Sequence, residues 1–324
     1  MVAAQLPDWL EPASGRTLVV LGADGFIGSW VVRLALAAGA RVVGLCVKSP
    51  WRLTGAAGER LRLRAVAGGR WWEPGWIDAL GGVLRGADAF VHLAYEPPAS
   101  GLDAAGCAEH EHAVNAAAAA RIARAAAGAG ARIVFASSAD VYGSWHDEPV
   151  GESTPPAPAT PYAAAKLAAE RCVLASPGAY CLRIATVFGP GELGPRAIPA
   201  FCRALARGEL ATLHGDGGDL RDYVGVAEVA AAIVNATASP DGPALLNLGS
   251  GSGRTTRSVL ETVAAALGAA PAARSVPGAR APSRLVVDAG AARAALGFAA
   301  DPDFAAAVRR EVRWLLDHRT RWPS

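Results

Sequence analysis

The chain has 324 residues, a formal net charge of +2 and 19% charged residues, and 52% of it is hydrophobic, much of that alanine. That is length enough for a full core, as one large α/β unit plus a smaller lobe, and the composition excludes a disordered chain. The near-neutral charge gives no electrostatic basis for binding nucleic acid or an anionic membrane, and no apolar stretch reaches spanning length without a polar break. The five cysteines, Cys46, Cys107, Cys172, Cys181 and Cys202, lack metal-ligand spacing, and no basic-then-apolar run opens the sequence. The expectation is a reduced, cytoplasmic protein with no metal site and no signal peptide.

Residues 17–21, Thr-Leu-Val-Val-Leu, are a short apolar run ending at Gly22 and predict a buried parallel strand. A helix follows over 26–38, closed by Gly39, and then a second strand over 41–45. Further strands are predicted at 87–93, 131–136 and 179–184. Between them lie a long alanine-rich helix at 104–128 and a helix at 161–175. Strands alternating with helices make βαβ units, so the fold class is α/β with a Rossmann-type, doubly wound parallel sheet. From about Gly189 the pattern changes to loops, a helix near 199–207 and the turn Gly215-Asp216-Gly217-Gly218. A helix at 226–238 and a strand at 245–248 are expected to return to the main sheet, and a last helix spans 304–318. The expected division is a dinucleotide-binding domain at 1–187 and a smaller, discontinuous substrate-binding lobe, mainly 188–324.

Gly22-Ala23-Asp24-Gly25-Phe26-Ile27-Gly28 joins the first strand to the first helix, the context a dinucleotide fingerprint requires. Gly22 permits the tight turn, Gly25 admits the pyrophosphate, and Gly28 lets the helix pack on the strand. The helix N-terminus supplies N–H donors and the positive end of its dipole. Downstream, Tyr162 and Lys166 are four apart and share one helix face. A phenol titrates near about 10 in water, and a nearby cation stabilises its anion, so the pair can exchange protons close to neutral pH.

Taken in order, these motifs resemble the extended short-chain dehydrogenase/reductases that modify nucleotide sugars: epimerases, dehydratases and ketoreductases. The resemblance runs over nearly the whole chain. It is carried by the glycine loop, Val91-His92-Leu93-Ala94, Val114-Asn115, Ser137-Ser138-Ala139-Asp140-Val141-Tyr142-Gly143 and Pro161-Tyr162-Ala163-Ala164-Ala165-Lys166. Phe188-Gly189-Pro190-Gly191, Arg221-Asp222-Tyr223-Val224, Asn247-Leu248-Gly249 and Leu296-Gly297-Phe298 complete it. The resemblance implies that Tyr162 exchanges a proton with a sugar oxygen and that Ser138 hydrogen-bonds the same oxygen. Lys166 would bind the nicotinamide ribose and lower the Tyr162 pKa. The cofactor contacts it implies are Gly22, Asp24, Gly25, Phe26, Ile27, Gly28, Lys48, Leu93 and Ala94, with Tyr162 and Lys166. Thr186, Arg221 and Arg280 would bind the nucleotide sugar, a guanidinium fork suiting phosphate oxygens. Two copies could pair through the helices at 104–128 and 161–175.

Three departures from the family pattern bear on the reaction. The second strand ends in Cys46 where NAD-using members carry Asp; with Lys48, Ser49 and Arg52 nearby, this favours NADP(H), NAD(H) being the other possibility. Dehydratases follow the catalytic hydroxyl residue with Asp-Glu, and here those positions hold Ala139 and Asp140. Thr186 stands where many epimerases and dehydratases have Asn. Together these lean towards a reductase of a nucleotide-linked 4-keto-6-deoxyhexose. The alternatives are a 4-epimerase with tightly bound NAD, a decarboxylase using Asp140 as a catalytic carboxylate, and a dinucleotide sensor without catalysis.

Overall fold

A computed structural model describes residues 7–56, 58–239, 244–278 and 282–323. The chain begins β1 (Thr17–Leu21), α1 (Phe26–Ala37), β2 (Arg41–Cys46), β3 (Leu61–Ala65), α2 (Pro74–Leu84), β4 (Ala89–His92). It continues α3 (Ala104–His110), α4 (Ala117–Gly128), β5 (Arg132–Ser138), α5 (Pro161–Val173), β6 (Tyr180–Ile184), β7 (Thr186–Phe188). There follow α6 (Ala197–Ala206), β8 (Ala211–His214), β9 (Leu220–Gly225), α7 (Val226–Ala238), β10 (Leu245–Leu248) and β11 (Gly253–Thr255). The last elements are α8 (Thr256–Leu267), β12 (Ala273–Val276), β13 (Arg284–Leu285), α9 (Gly290–Leu296) and α10 (Phe304–Asp317).

Seven parallel strands form the main sheet in the order β3-β2-β1-β4-β5-β6-β10. This is the Rossmann-type α/β architecture expected from the strand–helix alternation. Central strands such as β1 and β4 are apolar and buried, because helices cover both sheet faces. One core lies under α1, α7 and α9, with Val31, Val32, Ile233 and Leu296; the other lies under α2, α4 and α5, with Leu80, Ile122 and Val173. Strand order reverses between β1 and β4, which opens a crevice at their carboxyl ends. A third cluster, around Phe201, Leu213, Leu260, Val308 and Leu315, joins α6, α8 and α10 beyond that crevice.

The alanine-rich helix expected at 104–128 is interrupted. A π-helical turn, Glu111–Ala116, separates α3 from α4. Within it Asn115 reaches the chain after β4, accepting from Glu96 N–H at 3.0 Å and donating to Glu96 O at 2.9 Å. Such a turn widens the helix locally and redirects side chains, and alanine-rich composition gives no sign of it. Strand β3, Leu-Arg-Leu-Arg-Ala, was not anticipated because it is a charged, largely exposed edge strand. Helices α2 and α8 were also unforeseen.

A buried ion pair fixes the helix that carries Tyr162 and Lys166. Glu170, on α5, receives Arg183 Nη2 from β6 at 2.7 Å and Arg183 Nε at 3.0 Å. The same carboxylate accepts the Ser137 hydroxyl of β5 at 2.5 Å. Both charged side chains are almost fully buried, and the guanidinium also faces the Tyr142 ring, 4.6 Å from its centre. The geometry is bidentate, and it ties α5 to two neighbouring strands. Removing one partner strands a buried charge. Glu170→Ala should therefore lower the unfolding free energy by about 3–5 kcal/mol in denaturant titration, and Glu170→Leu with Arg183→Met should recover most of it.

Candidate active site

The glycine loop is built by close backbone approach. Gly22 has φ +83°, its N–H donates to Leu45 O at 3.0 Å, and its carbonyl accepts Gly25 N–H at 2.9 Å. A Cβ on Gly28 would lie 2.0 Å from Gly22 O, and one on Gly22 would sit 3.1 Å from Ala94 N. No side chain fits at 28, which places the α1 N-terminus directly beneath the loop. This cradle has the shape to take a dinucleotide pyrophosphate, which Gly22, Gly25 and Gly28 would hold, and Phe26 and Ile27 open the helix beneath it.

Asp24, almost fully buried in that loop, turns its carboxylate to the end of β2. It accepts Val47 N–H at 2.8 Å and Lys48 N–H at 2.6 Å. The Lys48 side chain is exposed and does not line the catalytic cavity. Arg52 is committed elsewhere: its Nε donates to Gly191 O at 3.0 Å and its Nη1 to Asp24 O at 3.3 Å.

A cavity of about 280 Å³ sits at the crevice. Phe26, Ile27 and Leu93 line the side next to the glycine loop, and Ser138, Asp140, Tyr162 and Lys166 the floor. Thr186 at the start of β7 and Arg221 on β9 complete the lining, with Glu192 and Arg196. The structure thus brings together side chains that are up to 195 positions apart in sequence, Phe26 and Arg221 being the extremes among the expected site residues. Arg280 lies outside the described residues. Trp145 and His146, which follow the catalytic strand, are not part of the lining; Trp145 is exposed, and His146 Nε2 is 2.9 Å from Tyr142 O.

Burial, and then the Asp140 charge, raise the Tyr162 phenol to about 12, while the Ser138 hydroxyl and the Arg196 charge pull it down. Burial lowers Lys166 to about 8, against upward pulls from the Glu111 and Glu170 charges. The Lys166 ammonium donates to Ala136 O at 2.8 Å and lies 5.8 Å from the Tyr162 ring centre. The expected lowering of the tyrosine by this lysine is therefore not the dominant influence here: desolvation is. Because the folded pKa of Lys166 is depressed below its ordinary value, the unfolded chain binds more protons between about 8 and the ordinary lysine value. This group's contribution to stability is full above that window and is lost as pH falls through about 8.

Asp140 and Arg221 form an ion pair across the cavity, Nη1 to Oδ1 at 2.9 Å. Arg221 does not pair with Asp222, whose carboxylate accepts Ser250 N–H at 2.7 Å and Gly251 N–H at 3.1 Å. Two residues that sequence reasoning passed over stand beside Tyr162 and Lys166. Tyr95 packs edge-on against Tyr162, ring centres 5.1 Å apart, and donates its hydroxyl to Glu111 at 2.6 Å. Glu111 is buried and also accepts from Asn115 Nδ2 at 2.9 Å. Its one sequence signal is a charged residue on the inner side of an alanine-rich helix. Nearby His92 is enclosed by Trp71, Phe90 and Phe135, and burial holds it at about 3, neutral.

Residues 18–249 match the family model described as the NAD dependent epimerase/dehydratase family. The chain belongs to this family. It is an enzyme of the extended short-chain dehydrogenase/reductase type, which sets aside a non-catalytic sensor. It is 35% identical to a UDP-glucose 4-epimerase of Mycolicibacterium smegmatis (strain ATCC 700084 / mc(2)155), over 78% of this chain and 83% of that one. It is 30% identical to a dTDP-glucose 4,6-dehydratase of Streptomyces griseus, over 94% of this chain and 95% of that one. Among solved structures, DesIV, a dTDP-glucose 4,6-dehydratase from Streptomyces venezuelae with NAD and TYD bound, superposes with a TM-score of 0.84 at 28% identity, covering 94% and 98% of the two chains. MoeE5 in complex with UDP-glucose and NAD gives 0.78 at 30% identity, covering 94% and 99%. Among the described residues no helix is long and apolar enough to cross a membrane, and no group of His, Cys, Asp and Glu could hold a metal ion.

The family's chemistry makes Lys166 the group to test. Glu111→Gln removes a charge that holds the ammonium protonated, so Lys166 should deprotonate at lower pH. The alkaline limb of kcat/KM should move down by up to about one pH unit. An unchanged pH–rate profile would mean that the carboxylate does not act on Lys166.

Proposed function

We propose that this protein is a nucleotide-sugar 4-epimerase that retains one NAD through its cycle. The observation that carries the reading is a clasp over the glycine loop. Trp30 Nε1 donates to Pro190 O at 2.7 Å, and Arg52 bridges Gly191 O and Asp24 O. The 189–191 segment is thereby tied down on the dinucleotide cradle, Gly191 so close to the Phe26 ring that a Cβ would meet it at 3.3 Å. Cofactor exchange on every turnover, as net reduction requires, would have to break these bonds each time. A redox-neutral epimerisation would not.

The acid–base pair for elimination is incomplete, with Ala139 apolar and Asp140 engaged by Arg221. That argues against 4,6-dehydration and gives decarboxylation no free carboxylate. Within the proposal, Tyr162 removes the proton of the sugar hydroxyl as its tyrosinate, the form that burial disfavours and that the Ser138 hydroxyl and the Arg196 charge favour, and later returns it; Ser138 hydrogen-bonds the same oxygen. Lys166 holds the nicotinamide ribose. Arg221 and Arg196 face the sugar nucleotide's diphosphate, and Asp140 keeps Arg221 extended across the cavity until phosphate oxygens replace it. NAD held by these residues would supply reversible hydride transfer at the sugar carbon, and the site's own part is to orient the sugar and move its hydroxyl proton.

A second reading, the nucleotide-4-keto-6-deoxyhexose 4-ketoreductase, is favoured by Thr186, whose small hydroxyl side chain lines the cavity where Asn is common. The two part cleanly. The purified protein should interconvert UDP- or dTDP-linked glucose and galactose with no cofactor added, seen as C4 inversion by NMR. Tyr162→Phe should slow this by about 10²–10⁴-fold while dinucleotide binding persists. Stoichiometric NADPH consumption on a nucleotide-linked 4-ketosugar, with no epimer from any nucleotide hexose, would replace the first reading with the second. Pairing of two copies through the helical stretches at 104–128 and 161–175 also belongs to the proposal, and sedimentation equilibrium would measure it.

A further inference from the structure

We infer that Asp24, in the glycine loop, selects NAD over NADP by holding at the end of β2 the negative charge that the strand itself lacks. Three observations converge on that place. The strand ends in Cys46, so no strand-end carboxylate is present to meet the adenosine ribose hydroxyls. The backbone N–H groups that follow it, Val47 and Lys48, are where a 2′-phosphate would find donors, and both already donate to Asp24, at 2.8 and 2.6 Å. The Arg52 guanidinium is spent on two carbonyl oxygens and lies 4.4 Å from the Trp51 ring centre.

The physical consequence follows from charge and donors together. A 2′-phosphate arriving at this corner meets a buried carboxylate and no unoccupied backbone donor at 47 or 48. A 2′-hydroxyl meets an acceptor. Asp24 reaches the strand end electrostatically as well, since the Cys46 thiol is raised to about 11 by burial and then by the Asp24 charge. Lys48 is exposed and stands as the opposing cation, screened by solvent. The lean towards NADP(H) read from Cys46 and Lys48 therefore reverses once the loop carboxylate is placed. The inference rests on the dinucleotide site and not on which sugar reaction the enzyme performs.

Binding alone tests it. Dissociation constants of NADH and NADPH are measured by fluorescence on the full chain, for the native protein, Asp24→Asn, and Asp24→Asn with Cys46→Asp. The native protein should bind NADH at least about tenfold more tightly. Asp24→Asn should shrink that ratio by about tenfold, mainly through tighter NADPH, and returning a carboxylate to the strand end should restore it. A native preference for NADPH, or a ratio unmoved by Asp24→Asn, overturns the inference. Equal weakening of both cofactors in Asp24→Asn, unrepaired by Cys46→Asp, also overturns it, because Asp24 is then a loop brace alone. Loss of epimerase activity with the binding ratios as expected would count against the proposed reaction and leave the cofactor inference standing.

Discussion

The Glu170 carboxylate is the constraint on which the geometry of the candidate site depends. It lies one helical turn beyond Lys166 on α5, and it is bound to Ser137 on β5 and Arg183 on β6. Ser137 precedes Ser138, and the parallel register sets Ser137 opposite Arg183. One carboxylate thus fixes the rise and rotation of α5 against the strand that presents Ser138. Without it, Tyr162 and Lys166 would still face the same side of a helix, but α5 would lose its bidentate anchor and keep only weaker ties to β5, such as the Lys166 bond to Ala136 O and apolar packing. Burying such a pair is costly, and the benefit is positional: bidentate hydrogen bonds permit little sliding.

The same economy of backbone contact shapes the other half of the crevice. Gly28 leaves no room for a Cβ above Gly22 O, so the N-terminus of α1 and the end of β1 meet at van der Waals limits. The segment after β7 closes on this loop through carbonyl oxygens at 190 and 191, held by Trp30 of α1 and by Arg52. Two kinds of constraint therefore converge on one cavity. Sterics set the cradle on one side, and hydrogen-bonded charge sets α5, with Tyr162 and Lys166, on the other. Enclosure also explains the direction of the pKa shifts: desolvation disfavours both the tyrosinate and the ammonium, raising Tyr162 and lowering Lys166. Glu111 opposes the second effect from below the site.

Much of this was legible in the amino-acid order. Local spacing determined the strand–glycine–helix cradle, the shared face of Tyr162 and Lys166, and the parallel α/β alternation, because each depends on residues close in sequence. Apolar strands under two helical layers announce themselves by composition. The charged edge strand β3 and the π-helical turn at 111–116 did not, since neither carries a periodic apolar signal and the turn is set by Asn115 reaching back to Glu96.

Tertiary structure decided what the polar groups do. Asp24 reads as one more residue of a loop until Val47 and Lys48, twenty-three and twenty-four positions on, turn their N–H groups to it. Asp140 and Arg221, 81 positions apart, become an ion pair only when β9 is brought over the end of β5. Glu170 and Arg183 look like surface charges in the sequence and are among the most buried groups in the fold. The reason is common to all three. The chemistry of a charged side chain depends on which donors and acceptors surround it once water is excluded, and those partners come from distant segments that only folding brings together.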